Sequence, residues 1–536
     1  MNKTEKLPPE EATSIAKTVS AEPNDDMAKI NLIMYPLGTV GRDFLYNLFN
    51  SFLLTYILFT KTLTEAQFAS VSIIIIVARI FDAFNDPVMG GIVENTRTRF
   101  GKFKPWMLIG AILTAGVVIA TFSTSLQGWS FIAFLAVMYF LFSITFTMND
   151  ISYWGMLPSL SRNEHTRNKL TSFAQIFAAA GGGIAGIAIP VFTAGSLAIG
   201  GSSVKAYAVI AVAAAVLMVG FQLFTVFGVK EKPLPPDLAK EPAMKLKDMF
   251  KVLFKNDQLM WCALIMLIFN IATNVVGGGL SMSYIYFEFG YNGILITAFG
   301  IFYAVTSTAF TLFYPWMAKR LGRDKLIAIT SLCNIIGYAV MLIAGLVLPH
   351  DPWLLKFGVM AFCYGVVGFG QGFYMIMVIS IANTVEYNEW KTGKRDEGLI
   401  FSLRPFTAKM GSAIMQFIVM LVYLAVGVTA FTNGISDLEN AASRGDITDE
   451  AKIEGIKEIL SGVPEGKKIA LLVCMCVIPA SGLLIAWTLY RKKCFLNENR
   501  HAEIVRLIAE RKEAEKGVKH TEKEDLQSEI PYDTAD

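Results

Sequence analysis

Asp82, Asn85 and Asp86 interrupt a segment that is otherwise built for hydrocarbon. The run Ser70-Val71-Ser72-Ile73-Ile74-Ile75-Ile76-Val77-Ala78 precedes them, and Pro87-Val88-Met89-Gly90-Gly91 follows. A carboxylate at bilayer depth is costly and marks an ion or proton path, or a partner inside the protein. In a helix the three residues stand at i, i+3 and i+4 and share one face. That face offers several oxygens to a hard cation, or a pair of like charges that raises one pKa enough to hold a proton. The chemistry is that of ion-coupled movement across a membrane.

A second polar strip lies in Thr145-Phe146-Thr147-Met148-Asn149-Asp150-Ile151-Ser152-Tyr153-Trp154. Thr147, Asp150 and Trp154 follow one another at about a helical turn, so a hydroxyl, a carboxylate and an indole share a face. Such a strip suits a sugar, whose hydroxyls donate to the carboxylate while its apolar face packs on the ring. In the competing reading Asp150 is an internal ion-pair partner of Lys409 or Arg42. Other charges within apolar spans are Arg42, Asp43, Arg404 and Lys409. Lys409 is a natural counter-ion for Asp82 and Asp86, whereas Arg42 is expected to snorkel to the interface beside Asp43.

The elements that must position these residues are membrane helices. The chain is 54% hydrophobic and 17% charged over 536 residues, too apolar for a soluble protein of this size. Its net charge of +3 gives no electrostatic footprint for nucleic acid. No removable signal peptide is expected, because residues 1–30 are polar throughout. The six cysteines mostly fall in apolar segments without ligand spacing and read as small buried side chains. Apolar windows long enough to span a bilayer number about twelve: 34–60, 67–94, 105–124, 129–158, 170–195, 204–229, 258–287, 292–317, 325–347, 354–385, 399–431 and 469–490. With the N-terminus inside, Arg97, Arg99, Lys102, Lys104, Lys319, Arg320, Arg323, Lys325 and Arg491-Lys492-Lys493 all fall in the cytoplasm. Both termini are therefore expected in the cytoplasm. The long segment 432–468 mixes five basic with eight acidic residues, and Ser436-x-x-Glu439 predicts a capping box opening a short surface helix.

The expected organisation is a cytoplasmic tail (1–30), a six-helix half (31–229), a Pro-rich basic linker (230–257), a second six-helix half (258–490) and a tail (491–536) that reads as a helix with a disordered end. Basic Gly-containing turns follow the second and eighth spans, and glycines break the first span (Gly38, Gly41) and the seventh (Gly277-Gly278-Gly279). These echoes predict an all-α polytopic protein with two repeated halves, of the major facilitator type.

Several strings resemble the glycoside–pentoside–hexuronide:cation symporter family, within the major facilitator superfamily and nearest its melibiose-type members. They are Gly41-Arg42-Asp43-Phe44, Ala78-Arg79-Ile80-Phe81-Asp82-Ala83-Phe84-Asn85-Asp86-Pro87 and Arg99-Phe100-Gly101-Lys102-Phe103-Lys104-Pro105-Trp106. Further matches are Thr147-x-x-Asp150-x-x-x-Trp154, Glu386-Tyr387-Asn388-Glu389-Trp390 with Arg395 and Glu397, and Lys409-x-Gly411. The resemblance implies a cation (Na+) site of Asp82, Asn85, Asp86 and Thr147, with Lys409 nearby. It implies sugar contacts at Asp43, Asp150 and Trp154, and a cytoplasmic gating network of Glu386, Glu389, Arg395 and Glu397. Two positions depart from the melibiose-type pattern. Gln175 stands where those members have an arginine, and Arg404 where they have a neutral residue. A charge moved to Arg404 favours acidic glycosides such as hexuronides, through bidentate pairing.

The expectation is a cell-membrane symporter for a glycoside and a monovalent cation (Na+, Li+ or H+), without a cofactor and functional as a monomer in the bilayer. A cation-dependent lysophospholipid or amphiphile carrier and a non-transporting sugar sensor are the alternatives. An enzyme is disfavoured, since no nucleophile–base pair, metal motif or phosphate loop stands out.

Overall fold

The computed structural model describes residues 28–161, 164–231, 253–394 and 396–528, and among them the regular structure is helical. The first six long helices are α1 (Asn31–Thr60), α2 (Glu65–Asn95), α3 (Lys104–Ser123), α4 (Gly128–Gly155), α5 (Glu164–Thr193) and α6 (Ser203–Gly228). Next come α7 (Asp257–Val275), α8 (Ser281–Phe289), α9 (Gly293–Leu321), α10 (Arg323–Val347), α11 (Trp353–Val367), α12 (Gln371–Thr392) and α13 (Glu397–Val426). The chain closes with α14 (Thr429–Arg444), α15 (Asp449–Ser461), α16 (Glu465–Lys493) and α17 (Glu498–Ser528). Among the described residues, eleven helical stretches are long and apolar enough to cross a membrane. Helix α1 is long enough at 30 residues, but Arg42, Asp43, Asn47 and Asn50 hold its mean hydropathy down.

The described chain forms two compact units. Unit 1 holds α1–α6 together with residues 290–297 and 427–462; unit 2 holds residues 253–289, 298–426 and 463–528. Two segments from the second half of the sequence thus pack in the first unit.

Within unit 1, α1 is the central helix, and small residues let it approach its neighbours closely. A Cβ on Gly41 would lie 2.2 Å from the Leu217 carbonyl oxygen of α6, and one on Gly181 of α5 would lie 2.2 Å from the Val40 carbonyl oxygen. The break expected at Gly38 and Gly41 does not exist: α1 is continuous, and its glycines serve contact instead. The corresponding break in unit 2 does exist. Val276–Leu280 forms a π-turn between α7 and α8, with Gly279 at φ 129°. A wide turn of this kind inside a helix frees backbone groups from the regular ladder. Helix α2 starts at a capping box, in which Thr64 accepts from the Gln67 amide and the Gln67 side chain accepts from the Thr64 amide.

The expected capping box at Ser436-x-x-Glu439 is overturned. Helix α14 begins at Thr429, so both residues lie inside it, and both are fully buried. Buried Val428, Thr432, Ile435, Ser436, Glu439 and Ala442 make the stripe that docks. The α14–α15 hairpin is held together where Leu438 packs over Gly455 and Ile459 over Gly434. Helix α17 occupies Glu498–Ser528, and the expected disordered end (529–536) lies outside the described residues.

Two glycines of α5 give a paired prediction. Gly181→Ala should lower the unfolding temperature of the purified protein by the equivalent of about 1–3 kcal/mol, the usual cost of overpacking. Gly183→Ala, where nothing lies within 4 Å of the new Cβ, should leave it unchanged or slightly raised.

Candidate functional site

The polar residues of unit 1 assemble from helices α1, α2 and α4. Ser143 donates to Asp82 Oδ1, and the Thr147 hydroxyl donates to Asp86 Oδ1 at 3.2 Å. The two donors are four residues apart on α4 and the two acceptors four apart on α2, so the pairs form adjacent rungs between two helices. Asn85 lies on the same face, and its amide nitrogen is buried without a hydrogen-bond partner. Two carboxylates and two hydroxyls make an all-oxygen donor set suited to a hard monovalent cation, or to a shared proton. Arg79, one turn before Asp82, lies within electrostatic reach of it and hydrogen-bonds Tyr139.

The second cluster centres on Arg42. Its Nη2 lies 2.9 Å from Asp43 Oδ2 and its Nη1 lies 3.1 Å from Asp150 Oδ1. The guanidinium also sits over the rings of Tyr153 and Trp154, at 4.7 and 5.4 Å from their centroids. Arg42 is buried, with 3% of its surface exposed, so the expected snorkelling position is wrong. Two carboxylates and two aromatic faces solvate the guanidinium inside unit 1 and remove the reason to reach for water. The internal ion-pair reading of Asp150 is realised with Arg42. Asp150 nevertheless keeps 39% of its side chain exposed, and Asp43 keeps 22%.

A reciprocal tyrosine pair fixes this cluster. Tyr35 donates to the Tyr153 carbonyl at 3.0 Å and Tyr153 donates to the Tyr35 carbonyl at 2.8 Å, with the rings stacked 4.4 Å apart. This pins α1 to α4 at the residue before Trp154 and two turns before Arg42. Tyr46 lies within electrostatic reach of Arg79, Asp82, Asp43 and Asp150. The two clusters therefore adjoin in one unit.

A family model described as MFS/sugar transport protein matches residues 34–491. The chain belongs to the MFS sugar-transport family. This transporter is 27% identical over 492 residues to the raffinose carrier protein of Pediococcus pentosaceus, covering 88% of this chain and 70% of that one. It is 28% identical over 408 residues to the putative glycoside/cation symporter YagG of Escherichia coli (strain K12), covering 74% and 83%. Its fold is similar to the crystal structure of a D-xylose-proton symporter, with TM-score 0.54, 13% identity, and 82% and 98% of the chains covered. The protein is a multi-pass membrane transporter of the glycoside–pentoside–hexuronide type and not an enzyme.

Unit 2 carries the remaining sequence-predicted residues of the transporter. Arg404 of α13 is exposed, donates from Nε to the Tyr374 hydroxyl at 3.1 Å and lies over that ring. Lys409 is half-buried on the same helix. Gln175, in unit 1, is exposed on α5. Of the expected gating charges, Arg395 lies outside the described residues and Glu397 is exposed at the start of α13. Glu386 and Glu389 face the last helix, α17: His501 Nε2 lies 3.5 Å from Glu386 and Lys512 Nζ 2.6 Å from Glu389.

Sequence reasoning missed Ser143, Arg79 and the Tyr35–Tyr153 pair. Ser143 stands four residues before Thr147, a spacing that signals it. The tyrosine pair leaves no such signal, because its contacts link residues 118 apart.

Loss of Arg42 should cost the transporter more than loss of one of its partners. Arg42→Met strands two carboxylates, whereas Asp43→Asn leaves Arg42 paired with Asp150. Thermal unfolding in detergent should place Arg42→Met below Asp43→Asn, by on the order of 1–3 kcal/mol.

Proposed function

We propose that this chain is a secondary active symporter that takes up a glycoside together with a monovalent cation, Na+, Li+ or H+, by alternating access. Two adjoining carboxylate clusters in one unit carry the reading. Asp82 and Asp86 bring two carboxylates to one face beside the hydroxyls of Ser143 and Thr147, and a bound cation there offsets their charge. A net buried charge resists enclosure, so the cation-loaded form closes more readily. Asn85 and Thr147 complete the cation's surroundings, and Ser143 joins them. At the neighbouring cluster, Arg42 orients Asp43 and Asp150 so that their exposed oxygens accept from sugar hydroxyls, and Trp154 offers its ring to the sugar's apolar face. Because the clusters adjoin, each ligand strengthens binding of the other.

Similarity to a raffinose carrier and to a putative glycoside/cation symporter supports a sugar substrate and cation coupling. Arg404, exposed beside Tyr374, supports acidic glycosides such as hexuronides within the substrate range, by bidentate pairing with a carboxylate. Gln175 and Lys409 are proposed as further substrate contacts, and Glu386, Glu389, Arg395 and Glu397 as the inner gate. The coupling ion is cargo, and no separate cofactor is needed. The basic clusters support both termini in the cytoplasm of a cell-membrane protein, and the transporter is proposed to act as a monomer. On that orientation the α1–α2 and α5–α6 connections face outward.

Neutral and acidic glycosides added in turn to de-energised vesicles, with external Na+ and pH recorded, test the proposal. A glycoside should draw Na+ or H+ inward, and Asp86→Cys should abolish that movement. Arg404→Gln should weaken uptake of an acidic glycoside by about tenfold or more while sparing a neutral one. Binding without any cation movement would favour a sensor. Displacement of the bound glycoside by a lysophospholipid would favour an amphiphile carrier.

A further inference from the structure

Residues 427–462 stand between α13 and α16, both in unit 2, yet pack as part of unit 1. The chain therefore leaves unit 2 at Gly427 and returns after Gly462. The attachment is dense. The Asn433 side-chain amide both accepts from the Leu63 N–H and donates to the Leu63 carbonyl, each at 2.9 Å. Asn440 donates to the Thr60 carbonyl at 2.9 Å, and the Thr62 hydroxyl donates to Asp437 Oδ1 at 2.6 Å. On the other side, Glu439 Oε2 accepts from the Ser203 N–H at 2.6 Å, and Lys452 Nζ donates to the Gly201 carbonyl at 2.6 Å. Glu439 and Lys452 lie 3.9 Å apart, and neither exposes more than 1% of its side chain.

We propose that the α14–α15 hairpin is a permanent cap on unit 1, carried with it through the whole cycle, with Gly427 and Gly462 as the hinges to unit 2. Undocking would break the hydrogen bonds from Ser203 N–H to Glu439 and from Lys452 to the Gly201 carbonyl and release the Asn433 clamp, so the hairpin stays. Movement between the units in alternating access, the reading on which this inference rests, is then absorbed at the two roots. Gly427 sits at φ +71°, a backbone conformation that residues with a Cβ rarely adopt. Gly462 caps the end of α15.

The test uses Thr62→Cys with Asp437→Cys, in the full chain with its six native cysteines replaced by serine, reconstituted in vesicles. A short thiol-to-thiol cross-linker should join the pair at the same rate, within about twofold, with and without sugar and cation. The joined protein should keep the flux of the unjoined one. Failure to cross-link, or protection by sugar and cation, would overturn the fixed cap, and both outcomes are read without any flux. Loss of flux on cross-linking, restored by a reversible linker's reduction, would do the same. Absence of flux in the unjoined parent would instead count against the symporter reading. For the hinges, Gly427→Ala should slow flux about tenfold while sugar binding stays within about twofold. Unchanged flux would remove Gly427 from that role.

Discussion

Charge inside hydrocarbon must be compensated, and the arrangement of unit 1 follows from that constraint. Arg42 meets it for Asp43 and Asp150, while Ser143, Thr147 and the nearby Arg79 meet it for Asp86 and Asp82. Close packing around α1 then holds the partners in register. Gly41 and Gly181 bring backbones together, and the crossed tyrosines lock α1 to α4.

The same logic is used away from the membrane interior. Glu439 and Lys452 are buried in the α14–α15 hairpin, and each has a backbone partner in the α5–α6 connection or at the start of α6. Burial raises the Glu439 carboxyl pKa, with Lys452 and the Ser203 amide opposing the shift. A carboxyl whose folded pKa is raised binds protons more readily folded than unfolded. Falling pH therefore does not by itself penalise the docked carboxyl. A segment that hydropathy reads as a loose connection is a structural part of the opposite unit.

Much of this was legible in the sequence. Carboxylates at i and i+4 in an apolar run announce themselves by cost, and the helices carrying them follow from the length of that run. Thr147 and Asp150 were found the same way. Partners across helices were harder, since Tyr35 and Tyr153 read as ordinary membrane aromatics until their carbonyls meet. The sequence leaves Arg42 two places, snorkelling to the interface beside Asp43 or pairing inside with Asp150, and the structure takes the second. Glycines at 38 and 41 read as a break and proved to be contacts, because glycine serves both purposes and sequence alone does not separate them. Ser436 and Glu439 match a cap by spacing, but the helix already runs from Thr429 and carries both on its buried stripe.

The most direct test of the account is thermodynamic linkage in the purified protein. Calorimetry would give the sugar Kd with and without saturating Na+, and the Na+ Kd with and without saturating sugar, repeated across pH to read the proton. The two ratios are equal by linkage; adjoining clusters in one unit predict that they lie well above one, and that Thr147→Ala weakens the cation without removing sugar binding. Ratios of one for every cation, with both ligands bound, would contradict coupling through this site.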